Sequence, residues 1–153
     1  MNGAISASIH ASAVRVDGSG VLVRGPSGSG KSALVLALIL ADRMANRLVA
    51  DDQVVVAALG GRLIASPPAT IAGLIELRGH GLLRLPFVPA QEIALVVDLE
   101  PAATLARMPE QGDRRTGIEG VELPRLALPI GQADGWIRVR ALLLAGLDTA
   151  GGE

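Results

Sequence analysis

Eight consecutive residues, "GPSGSGKS" from Gly25 to Ser32, have the types and spacing that phosphate chemistry needs. They fit G-x-x-x-x-G-K-[ST]. Backbone N–H groups freed of Cβ bulk at Gly25, Gly28 and Gly30 can turn inward around phosphate oxygens, with Pro26, Ser27 and Ser29 between them. A helix starting near Lys31 and running on through Ala33 adds the positive end of its dipole. Lys31 is then placed to reach the β and γ phosphates of a nucleoside triphosphate, and the Ser32 hydroxyl to ligate Mg²⁺. The expected ligand is ATP with Mg²⁺.

The acceptor must be identified from other residues. Asp51 and Asp52 follow "LVA", and a carboxylate closing a buried strand beside a phosphate loop can act on a metal or on hydroxyl protons. Adjacent strand side chains point to opposite faces, so one of the two is expected to face the phosphates. Asp98, closing "LVVD", competes for the same role on spacing alone. Glu76 in "LIELRG" reads equally as a metal ligand or as the ion-pair partner of Arg78. A lone histidine such as His10 is ordinarily a surface or satisfied strand residue. His80 and Arg84 have only their proximity to the Glu76 segment. Arg114 and Arg115 suit either a phosphate or solvent.

The elements that must hold these residues can be read from apolar patterning. Residues 5–16 read as one strand and "DGSG" as a tight turn. "VLVRG" is a strand entering the glycine loop, and 31–45 is a helix free of Gly and Pro. "RLVADD" is a second buried strand, and 53–66 is a hairpin about Gly60-Gly61. Around Glu76 a short strand passes into an irregular loop. "EIALVVDLE" is a buried strand, followed by a short helix near 101–108 and a mobile polar segment at 109–120. "VELPRLALPI" carries Pro124 and Pro129 and is expected at a sheet edge. Asp134 is placed to cap a closing helix that runs to about Leu147. Strands outnumber helices and neighbours look hairpin-linked, so the expected class is α/β with a mixed sheet.

Composition narrows the partners. At 153 residues with 50% hydrophobic content, one domain spanning 1–153 is expected. The formal net charge of −1 gives no basic field for nucleic acid. The single Phe and single Trp, Phe87 and Trp136, disfavour stacking on bases or sugars. There is no cysteine, which excludes disulfides and thiolate metal sites. The longest apolar run, Ala33 to Ala41, is far shorter than the ~20 residues that cross a bilayer, and the N-terminus lacks a signal-peptide pattern. Neither nucleic acid nor membrane is expected as a partner, and the expected location is cytoplasmic. No N-K-x-D guanine motif and no transporter ATPase signature is present; "GDRR" is the sole candidate for a kinase lid.

Together, "IHASAVRVDGSGVLVRGPSGSGKSALVLALILADRMANRLVADDQV" and "GLIELRGHGLL" resemble the C-terminal catalytic domain of HPr kinase/phosphorylase. The order of histidine, two strands about a turn, phosphate loop, helix, "LVADD" and "IE-x-RG-x-G" matches over most of residues 9–100. The resemblance implies a P-loop NTPase-like domain with a mixed sheet, of the HPr kinase and PEP carboxykinase-like kind, with a core at about 5–100 and a divergent segment at 109–153. It implies an ATP-dependent protein serine kinase that phosphorylates the phosphocarrier protein HPr and so regulates the phosphotransferase system, with phosphorolysis of phospho-HPr as the reverse activity. Carried over by position, Lys31 and Ser32 hold phosphates and Mg²⁺, and Glu76 is the second metal ligand, with Asp51 beside them. Asp52 is the acid/base, His10 is the active-site histidine, Asp98 is structural, and the catalytic arginine falls at Arg114 or Arg115.

Three departures accompany the match. Ala11 and Ala33 replace a glycine and a glutamate, and "GQADGWIRVR" stands where a Gly-Arg-Asn loop is expected. Longer members also carry an N-terminal domain, whereas this sequence begins at the first catalytic strand. The altered loop supports kinase activity better than phosphorolysis and bears on the family's hexamer, the homo-oligomer the resemblance would imply. Two alternatives stand beside this reading: a P-loop kinase of a small molecule, and a nucleotide-binding regulatory module without transfer.

Overall fold

A computed structural model describes residues 6–105 and 109–147. Eleven strands and two α-helices are present among them: β1 (Ser6–Ile9), β2 (Ser12–Val16), β3 (Ser19–Arg24), α1 (Lys31–Ala41), β4 (Arg47–Ala50), β5 (Val54–Leu59), β6 (Arg62–Ser66), β7 (Leu74–Leu77), β8 (Gly81–Arg84), β9 (Gln91–Glu100), β10 (Arg115–Ile118), β11 (Val121–Pro129) and α2 (Gly135–Ala145). Nine strands form one sheet in the order β1-β5-β6-β9-β3-β2-β4, with β11 on β9 and β10 on β11. β9 runs parallel to β3 and β11, and the other pairs are antiparallel. The mixed α/β sheet expected from the sequence is the one found.

The long apolar runs reflect a sheet buried on both faces. Along β9, Ile93 and Val96 join a core with Leu22, Val49 and Leu63, whereas Leu95 and Val97 join one with Val23, Leu38 of α1 and Val139 of α2. Side-chain alternation, shifted where β9 bulges between Ile93 and Leu95 against β3, divides this run between the two cores. The ends of β3 and β4 are thereby held in fixed register beside α1. No helix among the described residues is long and apolar enough to cross a membrane.

Several boundaries differ from expectation. The first strand breaks at His10 and Ala11, because β1 pairs with β5 while β2 pairs with β3 and β4. α1 stops at Ala41 rather than at residue 45. There the Asp42 carboxylate accepts the N–H groups of Met44 and Ala45, both at 3.2 Å, and offers the backbone a turn in place of helix. The loop expected after Glu76 is the second strand of a hairpin, with β7 and β8 paired from Leu74↔Arg84 to Leu77↔Gly81. Gly79 and Gly81, at φ 91° and 119°, make that turn.

Past Pro101 the chain forms a 3₁₀ turn, Ala102–Thr104, and the rest of the expected helix, 106–108, lies outside the described residues. The segment expected to be mobile holds a second 3₁₀ turn, Gln111–Arg114, closed by reciprocal Glu110 and Asp113 bonds, and then β10. β11 is the expected edge: residues 121–124 pair only with β10 and 125–129 only with β9, among the described residues. Asp134 takes the N-cap position of α2, but its carboxylate accepts from Arg138 Nε at 3.2 Å instead of capping, and the helix ends at Ala145.

Candidate active site

The glycine loop leaves β3 from the middle of the sheet, between β2 and β9, and enters α1 at Lys31. Gly28 and Gly30 have φ of 79° and 102°, a region costly to other residues. Gly25 is required by proximity, since a Cβ there would stand 2.6 Å from Ser29 Oγ and 3.0 Å from Leu99 Cβ. Lys31 is buried, and its ammonium donates to the carbonyls of Gly25 at 2.8 Å and Pro26 at 3.1 Å. Neither bond goes to a carboxylate, so the loop keeps a full positive charge beside the N-terminus of α1. That combination attracts anions. Ser29 Oγ is buried with no hydrogen-bond partner among the described residues.

The two adjacent aspartates part in a bend just past the end of β4. Asp51 turns inward and is 5% exposed; it accepts from Ser12 Oγ at 2.8 Å, from Ser32 Oγ at 2.7 and 2.9 Å, and from the Glu76 N–H at 3.2 Å. Asp52 turns outward, its side chain 72% exposed, and its carboxylate lies 3.0 Å from His10 Nε2. Asp52 has φ 71°, and the Gln53 N–H donates to Asp51 O at 2.8 Å, which closes a strained γ-turn on Asp52. The corner between β1 and β2 supplies both partners, His10 at Asp52 and Ser12 at Asp51.

One cavity of about 780 Å³ collects the loop residues Ser27 to Ala33 with His10, Ser12, Asp52, Glu76 and Arg78. Asp51 does not line it and stands behind Ser32. No group of three or more His, Cys, Asp or Glu that could hold a metal occurs among the described residues. Oxygen donors on the wall include the Ser32 hydroxyl and the Glu76 and Asp52 carboxylates. All-oxygen sites with few protein ligands suit Mg²⁺, which keeps waters and substrate phosphates in its shell.

Asp98 belongs elsewhere. Its carboxylate receives Arg24 Nε at 2.7 Å, a second Arg24 nitrogen at 2.9 Å and Arg125 Nε at 2.6 Å, while Arg125 also donates to Glu100 at 2.6 Å. Burial works to raise the Asp98 pKa, but the bonds and charges of Arg24 and Arg125 outweigh it and hold the carboxyl below its ordinary value. For Arg125, burial works to lower the pKa and Asp98 raises it above the usual guanidinium value. Asp98 thus differs from the Asp51-Asp52 pair in having both oxygens on guanidinium groups.

Arg114 and Arg115 are not brought to the loop cavity. They line a separate one of about 900 Å³ with Arg125 and Arg138; Arg114 ends a 3₁₀ turn and Arg115 opens β10, which pairs with β11. His80 and Arg84 sit exposed on the β7–β8 hairpin. Glu76 makes no ion pair with Arg78 among the described residues; Arg78 faces the cavity instead. Sequence reasoning missed Ser12, Arg78 and Trp136. Trp136 lines the loop cavity from α2, together with residues 128–133, although scarcity of aromatics had argued against ring contacts.

Comparison with known proteins identifies the family. A family model described as the HPr Serine kinase C-terminal domain matches residues 2–139. A protein named HPr kinase/phosphorylase from Limosilactobacillus reuteri (strain DSM 20016) is 35% identical over 134 residues, covering 80% of this chain and 41% of the relative. One of the same name from Geobacillus thermodenitrificans is 36% identical over 137 residues, covering 80% and 42%. The chain therefore spans about two fifths of the length of the curated relatives it matches. Among solved structures, the Hpr(Ser) kinase/phosphatase from Coxiella burnetii superposes with a TM-score of 0.75 at 28% identity, covering 92% of this chain and 99% of that one.

Proposed function

The chain belongs to the HPr serine kinase C-terminal domain family, and on that premise we propose that it transfers the γ-phosphoryl group of ATP to a serine hydroxyl of the phosphocarrier protein HPr. The observation that carries this reading is the exposed Asp52 carboxylate, 3.0 Å from His10, on the wall of the cavity that also holds the glycine loop, Lys31 and Ser32. A P-loop NTPase-like domain spanning 1–153 and working in the cytoplasm is part of the same reading, as is regulation of the phosphotransferase system.

In this mechanism the triphosphate enters the loop, and Lys31 exchanges the Gly25 and Pro26 carbonyls for β and γ phosphate oxygens. Ser32 and Glu76 hold Mg²⁺, and Asp51 orients Ser32 from behind. When bound, the ion supplies neutralisation of charge on the transferring phosphoryl group. The serine oxygen of HPr forms its bond to the γ-phosphorus as the bond from that phosphorus to the bridging oxygen breaks, leaving ADP. Asp52 takes the hydroxyl proton, which a carboxylate within hydrogen-bond reach does most readily while ionised. His10 donates to Asp52 and fixes its orientation. Run in reverse with inorganic phosphate as attacking group, the same residues would release pyrophosphate and return the proton to serine.

Incubation with ATP, Mg²⁺ and purified HPr tests the proposal through the intact and fragment masses of HPr. A gain of one phosphate on a serine is the expected result. Unmodified HPr, with ATP·Mg²⁺ still bound by the protein, would overturn it and favour another acceptor.

A further inference from the structure

We propose that Ser12 is a positioning residue that ties the loop serine, Ser32, to the backbone of the base, Asp52. The proposal rests on the phosphotransfer reading and names a residue that the reading does not use. Ser12 is fully buried, at the edge of the loop cavity. The Asp52 N–H donates to Ser12 Oγ at 3.2 Å, and Ser12 Oγ donates to Asp51 Oδ1 at 2.8 Å. The direction of this relay is fixed, since an amide can only donate and the hydroxyl proton is then left for the carboxylate. Ser32 Oγ donates to the same Asp51 oxygen at 2.7 Å. One unbroken chain therefore runs from the Asp52 amide through Ser12 and Asp51 to Ser32.

The chain ends on the one strained residue of the site. Asp52 closes a γ-turn at φ 71°, a conformation that persists only where its surroundings over-determine it. His10 grips its carboxylate at 3.0 Å and Ser12 grips its amide, so the β1–β2 corner holds both ends of the residue. Without the Ser12 hydroxyl, the Asp52 amide and one side of Asp51 lose their buried partner, and the turn can relax toward the ordinary β region. Nucleotide binding at Ser32 and the aim of Asp52 would then be uncoupled.

The experiment combines backbone amide exchange with transfer kinetics in wild type, Ser12→Ala and Ser12→Thr. In wild type the Asp52 amide should exchange slowly despite its exposed side chain; fast exchange there overturns the proposal without any variant. In Ser12→Ala, protection should fall at Asp52 but not in β3 or β9. Turnover to HPr should drop about tenfold with the ATP KM little changed. Ser12→Thr, which keeps the hydroxyl, should restore both the protection and the turnover. A folded Ser12→Ala protein with wild-type turnover and wild-type Asp52 protection would overturn the assignment. Should wild type transfer nothing to HPr, the phosphotransfer reading falls, and the amide arm, which needs no substrate, still decides whether Ser12 holds the turn.

Discussion

Two acidic sites close buried strands on either side of β3, and their surroundings differ in kind. On the β9 side, Asp98 is clamped by Arg24 and Arg125. On the β4 side, Asp51 is met by two serine hydroxyls and an amide, and Asp52 by an imidazole. The first carboxylate is neutralised and has its oxygens filled. Among the described residues the second pair meets no lysine or arginine, beside a loop that carries one cation. A carboxylate already neutralised by guanidinium groups stabilises the fold and has little affinity left for a proton. One held by hydroxyls can orient a metal ligand or accept a proton when substrate arrives. The difference lies in the partners, since both sites follow similar apolar runs.

The largest effect is expected at the loop. Lys31→Ala should abolish nucleotide-dependent phosphate binding and lower transfer by about 10³-fold, comparable to removing a preorganised donor from a charged transition state. Titration calorimetry with ATP·Mg²⁺ and a phosphotransfer assay would show it, and retained binding would move the phosphate site elsewhere.

Next comes Asp98→Asn, which should cost about 3 kcal/mol of folding stability because it leaves two guanidinium groups without their carboxylate. Transfer per folded molecule should be nearly unchanged. The effect also has a pH signature. The folded Asp98 carboxyl lies below the ordinary value of 3.8, so it resists protonation more than the unfolded chain does. Its stabilising contribution is complete above that value and drains away as pH falls through the lower folded one. The stability gap between wild type and the variant, measured by urea unfolding, should hold steady from neutral pH to about pH 5 and shrink below about pH 4. A gap that widened in acid would mean that Asp98 is not clamped as described.

The smallest expected effect is optical. Trp136 is the only tryptophan and lines the loop cavity, so ATP·Mg²⁺ should change its emission whereas magnesium alone should not. An unresponsive signal at saturating nucleotide would place the nucleotide away from α2.

Legibility in the sequence followed the range of the interaction. The loop, its lysine and serine, the Asp51-Asp52 pair and the β9 run are local patterns, and the structure has them where the spacing suggested. The break at His10, the early end of α1 and the β7–β8 hairpin were missed because each depends on a partner: β5 for β1, the Asp42 side chain for the helix end, and Gly79 and Gly81 for the turn. Arg114 was expected with the phosphates, but it ends a 3₁₀ turn ahead of β10 and lines another cavity. Ser12 escaped notice because a serine in a strand has no signature of its own. Only the fold shows that its hydroxyl meets residues about forty positions later.

The most direct measurement is single-turnover transfer from ATP to HPr by Asp52→Asn, run beside Asp98→Asn and wild type at neutral pH. The account predicts that Asp52→Asn binds ATP·Mg²⁺ normally and transfers about 10²–10⁴-fold more slowly, as loss of a general base requires, while Asp98→Asn transfers at nearly the wild-type rate. Undiminished transfer by Asp52→Asn, or a comparable loss in folded Asp98→Asn, would contradict the assignment of the two acids.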